Sequence, residues 1–195
     1  MFLEASDNDV SWGTGVVLSG EIVSDDPSCE DDELVRITRR VLGRSSETLL
    51  AEVQTDANGF FAVQFRTRQS AVYRATAPAG HGCAEASSSG ETIVVRVIVR
   101  ISTRDRTPER GVRIRIMVSV TPNLANTAVI LERRRGSRFV EVAGTGLNDR
   151  SRAVFTLAAG WRGTRVFRAA WPVQDDDEQE SGVSPTLAIR THRPS

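Results

Sequence analysis

The sequence predicts an all-β chain, two antiparallel β-sandwiches in tandem, on three observations. It repeats itself once over its 195 residues, its apolar residues alternate with polar ones, and turn residues interrupt that alternation at short, regular intervals. The repeat sets the organisation. Gly15-Val16-Val17-Leu18 recurs as Gly111-Val112-Arg113-Ile114, and the polar turn Asp7-Asn8-Asp9 before it recurs as Arg104-Asp105-Arg106-Thr107. Tyr73-Arg74-Ala75, with Pro78 behind it, matches Phe167-Arg168-Ala169 with Pro172 behind it, and Phe61 precedes Tyr73 by the same distance as Phe155 precedes Phe167. Two modules follow, expected at residues 1–98 and 99–195, the last few residues being a tail from Arg190 onward.

The strands are read from alternation, since successive side chains of a strand point to opposite faces. Val16, Leu18, Gly20 and Ile22 share one face, and Val112, Ile114, Ile116, Val118 and Val120 do the same in the second module. Val35 and Ile37, Leu50 and Val53, Phe61-Val63-Phe65, Tyr73-Ala75 and Ile93-Val95-Val97 mark the other strands of the first module. Turns are expected at Asp26-Pro27, Leu42-Gly43, Asp56-Ala57-Asn58-Gly59, Ala79-Gly80 and Ser87-Ser88-Ser89-Gly90. Roughly seven short strands per module with such spacing is the pattern of a sandwich. Thr92 to Ser102 alternates with neither glycine nor proline, so the last strand of one module is expected to run into the first of the next, giving a stiff connection.

Thr55-Asp56-Ala57-Asn58-Gly59-Phe60-Phe61 resembles the T-D-x-x-G-x-F signature of bacterial immunoglobulin-like surface modules, and Ser70-Ala71-Val72-Tyr73-Arg74-Ala75 is similar to the strand that follows it. Asn58-Gly59 is expected to close a tight hairpin through positive φ angles, with Phe61 and Tyr73 in a shared core. The second module has Asn148-Asp149-Arg150-Ser151 there, without the glycine, so a wider turn is expected. The resemblance implies immunoglobulin-like sandwiches. It places Cys29 and Cys83 in loops at one end of the first, where their sulfurs would meet as a disulfide. Two free thiols, or a metal held by Cys29, His81, Cys83 and a carboxylate, remain open alternatives. Zinc sites usually pair cysteines at a spacing absent here.

Composition narrows the function. The 25 acidic residues balance 25 basic ones, so no global field favours nucleic acid or an anionic membrane. All the basic residues are arginine, a bias that a GC-rich coding sequence would produce. No apolar run is long enough to insert in a membrane as a helix, and Met1-Phe2-Leu3-Glu4 lacks the basic and apolar regions of a secretory signal.

No catalytic residue is expected: the chain holds 2 histidines and lacks a nucleophile elbow, a zinc-protease helix motif and a phosphate-binding glycine loop. No cofactor is expected either, with calcium at the acidic stretches Asp25–Glu33 and Asp175–Glu180 as the alternative to plain solvated loops. Arg39-Arg40 and Arg133-Arg134-Arg135 occupy matching places, but neighbouring strand residues split between faces, so a solubilising role is expected over an anion-binding strip. Trp12, Trp161 and Trp171 are read as core or loop anchors.

The resemblance implies a spacer, stalk or adhesive part of a bacterial surface or secreted protein, extracellular or at the cell surface. The alternatives are a ligand-binding module for a glycan or protein partner, using loops at one end, and a phage decoration or fibre domain.

Overall fold

The computed structural model describes residues 1–80, 82–173 and 178–194. The chain forms two compact units, Met1–Arg96 with Asp175–Gln179, and Val97–Gln174 with Glu180–Ser195. Each is an immunoglobulin-like antiparallel β-sandwich with its own core.

The first unit contains β1 (Phe2–Ala5), β2 (Asp9–Ser11), β3 (Gly15–Glu21), β4 (Leu34–Val41), β5 (Glu47–Gln54), β6 (Phe60–Arg66), β7 (Ala71–Ala77), β8 (Ala86–Ser87) and β9 (Glu91–Arg96). One sheet has the order β1-β3-β6; the other runs β2-β9-β7-β4-β5, with β8 on β7. The chain changes sheets after Ala5: Asp7 Oδ1 accepts the Asp9 N–H at 3.1 Å, and β2 then pairs parallel to β9. Leu18, Val35, Ile37, Tyr73 and Ile93 interdigitate between the sheets, and alternate residues face outward.

The second unit repeats this plan with β10 (Ile98–Thr103), β11 (Arg113–Thr121), β12 (Ala128–Arg135), β13 (Arg138–Gly146), β14 (Arg152–Ala158), β15 (Gly163–Trp171), β16 (Gly182–Val183) and β17 (Leu187–Thr191). Its sheets are β10-β11-β14 and β13-β12-β15, the latter extended by β16 and β17, both on β15. The counterpart of β2 shrinks to a parallel bridge between Glu109 and His192. Pro108 lies beside it, with no N–H to continue a ladder, while its carbonyl accepts from His192 N at 3.2 Å.

The repeat extends to details. The pairing of β4 with β5 shifts register between Ile37 and Thr38, and that of β12 with β13 between Leu131 and Glu132. A buried serine plugs the ladder of each unit where the final strand breaks. Ser88 donates its N–H to Ala75 O and accepts the Ala75 N–H on Oγ at 3.0 Å; Ser184 and Ala169 do the same, with the Oγ bond at 2.8 Å.

Four expectations are corrected. Asp56 to Gly59 does not close a hairpin, because β5 and β6 belong to different sheets. Only Gly59 there has positive φ, at 78°, and the Asp56 carboxylate holds the turn by accepting from Asn58 N and Phe60 N. The turn of the second unit is not wider: Asn148 Oδ1 accepts from Arg150 N and Arg152 N, each at 3.0 Å, and Ser151 takes the left-handed position at φ 50°. The tail does not begin at Arg190, since Arg190 and Thr191 finish β17 and the backbone of His192 pairs with Pro108 and Arg110. Val112 precedes β11 and is exposed.

Candidate functional site

The loop end of the first unit was the strongest chemical candidate in the sequence. A short 3-10 turn, Pro27–Cys29, follows β3, and its cysteine is joined to Cys83 by a disulfide with the Cα atoms 5.6 Å apart. Both sulfurs are joined in this bridge, and His81, the third residue of the metal-site alternative, lies outside the described residues. Two of the nearby carboxylates, Asp26 and Glu30, accept hydrogen bonds from the loop itself. Asp26 accepts from Ser28 N at 3.0 Å and Ser28 Oγ at 2.7 Å, bonds that hold its carboxyl below the ordinary range. Glu30 accepts the Ser24 N–H at 2.6 Å, and Thr55 Oγ1 bridges Glu33 N to Glu30 O.

Among the described residues no group of three His, Cys, Asp or Glu side chains is placed to hold a metal ion. Of the second acidic stretch, Asp175 to Asp177 lie outside the described residues. Glu178, counted with the first unit, accepts the Ser70 N–H on its carbonyl at 2.7 Å and binds Arg44 and Gln69 through its carboxylate.

The matched arginine groups do not form a strip. Arg133 lies opposite Phe167, a core residue, on an inward face; burial, then the charges of Arg165 and Arg135, lower its pKa. Arg39 is similarly opposite Tyr73, whose phenol burial pushes up in pKa against the opposing effect of the Arg39 charge. The tryptophans are anchors. Trp171 is fully buried and donates Nε1–H to Thr127 Oγ1 at 2.8 Å, Trp161 stacks obliquely on Phe167, and Arg68 lies over Trp12.

A concentrated basic face does exist, on strands the sequence reading did not consider for binding. It is the outer surface of β10-β11-β14 in the second unit. Strict alternation in β11 sends Ile114, Ile116 and Val118 into the core and leaves Arg113, Arg115 and Met117 exposed. Register then fixes the neighbours. Met117 lies between Ser102 and Val154, and Ser119 lies between Arg100 and Arg152. The face therefore carries arginines at both ends and an apolar band at its middle, where Val154 is 54% and Met117 38% exposed.

Two shallow depressions meet at Met117 and Val154. One of ≈ 320 Å³ reaches Arg104, Arg113 and Arg115, and one of ≈ 570 Å³ reaches Arg100, Asn148 and Arg152. Two arginines on other sheet faces have acidic partners across the strands, Arg36 with Glu52 at 2.9 Å and Arg168 with Glu132 at 2.6 Å. Among the described residues, Arg100, Arg113, Arg115 and Arg152 form no ion pair. The one acid lining either depression, Asp105, has a carboxylate oxygen accepting from Thr107 N at 2.8 Å. The signal in the sequence is Arg113-Ile114-Arg115-Ile116-Met117, where alternation puts both arginines and Met117 on one side of the strand.

No family model matches the chain, and no curated protein matches it. Among solved structures it is similar to the D0-D1 domain of Intimin, at 13% identity and a TM-score of 0.38, with 97% of each chain covered.

Proposed function

We propose that the chain is a non-enzymatic extracellular pair of immunoglobulin-like modules, serving as a spacer or adhesive part of a bacterial surface or secreted protein of the T-D-x-x-G-x-F type. The observation that carries this reading is the Cys29–Cys83 disulfide across the loop end of the first sandwich. Bridges of this kind persist in oxidising compartments and are rare where glutathione and thioredoxin keep thiols reduced. Such modules act by presenting surfaces at a distance from whatever they are attached to, and two separate cores in one chain suit that role.

The test is accessibility on intact producing cells. Limited protease treatment of whole cells, followed by immunoblotting, should remove or shorten the chain while a cytoplasmic marker stays whole. Protection of the chain until the cells are lysed would contradict the reading.

A further inference from the structure

The face of β10-β11-β14 combines two chemistries that a merely solubilising surface does not need together. Arg113 and Arg115 lie at one end, Arg100 and Arg152 flank Ser119 at the other, and the exposed Met117–Val154 pair separates them. Along β11 the step from Arg115 to Met117 to Ser119 is two residues each time, about 7 Å per step for a strand, or about 14 Å from end to end. An extended polypeptide has the same repeat, so an acid, an apolar residue and a second acid at alternate positions would lie over Arg115, Met117 and the Arg100–Arg152 pair in turn.

We propose that this face binds an acidic segment of a protein partner in extended form, with the pattern acid-x-apolar-x-acid. Charge complementarity supplies the ends: four guanidinium groups that form no ion pair among the described residues, each able to take a carboxylate through two parallel hydrogen bonds. The apolar band selects polypeptide over polyanionic sugar, because a uniformly charged polysaccharide has nothing to bury against Met117 and Val154. Arginine and methionine are also residue types enriched in protein interfaces. The binding depends on the face alone, not on the compartment, so it stands or falls separately from the spacer reading.

The chain contains only 2 methionines, which makes Met117 a clean reporter. The full chain, labelled at its methionine methyl groups, is titrated by NMR with the peptide acetyl-Glu-Ser-Leu-Ser-Glu-amide. The Met117 methyl signal should shift to saturation while Met1 stays still. Replacing the peptide leucine with serine should weaken binding about fivefold, the effect of an apolar side chain left partly unburied. Arg115→Ser with Arg152→Ser should weaken it at least about tenfold, and Arg134→Ser, exposed on the other sheet, should not.

Four results would overturn the proposal: no shift of Met117, equal binding of the two peptides, tighter binding of a heparin hexasaccharide than of the leucine peptide, or unchanged binding by the Arg115→Ser/Arg152→Ser variant. A concentration-dependent Met117 shift without peptide, matched by dimer in sedimentation, would assign the face to a second copy of the chain and overturn it too.

Discussion

Ser151 holds, at φ 50°, the position in the second unit that Gly59 holds at φ 78° in the first. Their surroundings differ in one decisive respect. A Cβ on Gly59 would come within 2.4 Å of the Ile22 carbonyl oxygen, whereas Ser151 uses its side chain, donating to Asn123 Oδ1 at 2.5 Å and accepting from Leu124 N. One turn is thus built with two chemistries, and exchanging them should be asymmetric. Gly59→Ser should destabilise the first unit by roughly 2–4 kcal/mol, from the left-handed strain plus the clash. Ser151→Gly should stay within about 1 kcal/mol of the parent, relief of strain offsetting the lost hydrogen bonds. Urea denaturation of the full chain gives both values.

Removing the bridge should act on one unit only. The cysteines are 54 residues apart, and closing a loop of that size in the unfolded chain corresponds to on the order of 4 kcal/mol of entropy. Cys29→Ser with Cys83→Ser should therefore lower the stability of the first unit by about 2–4 kcal/mol. Hydrogen exchange followed by peptide mass analysis should show faster exchange in β3, β4 and β7 and unchanged exchange in β11 and β15.

The buried serines should matter more than their size suggests. Ser184→Ala leaves the Ala169 N–H without its Oγ acceptor in a closed core, a loss of roughly 1–3 kcal/mol. Ser88→Ala should cost about as much through Ala75. Thermal denaturation of the two variants checks the equivalence.

Asp9 provides a pH-dependent contact. Its carboxylate takes two hydrogen bonds from Arg96, at 2.7 and 2.9 Å, and that pairing lowers its pKa from the ordinary 3.8. A carboxyl with a depressed folded pKa contributes stability above its unfolded pKa and loses it as pH falls through the folded value. Carbon-detected NMR titration should find Asp9 ionising below 3.8 in the parent chain and closer to it in Arg96→Gln.

The fold was legible because its signals are local or periodic. Alternation marked the faces of β3, β7, β9 and β11, and the repeat of Tyr73 at Phe167 exposed the tandem plan. What escaped depends on which strands become neighbours. Asn58-Gly59 reads as a hairpin in any one-dimensional view, and only the sheet assignments of β5 and β6 show that the chain crosses between layers. Arg190 to His192 looked like a polar tail because its partners, Arg106 and Pro108, lie far away in sequence. The basic face was hidden for the same reason: β10, β11 and β14 contribute arginines that register alone brings together.

The central claim, a disulfide-closed sandwich from an oxidising compartment, is tested most directly by trapping thiols in the producing cells. Cells are quenched in acid, alkylated under denaturing conditions and the chain analysed by intact mass. The account predicts no alkylation of Cys29 or Cys83 before reduction and two added groups after it. Two alkylated cysteines without reductant would contradict it.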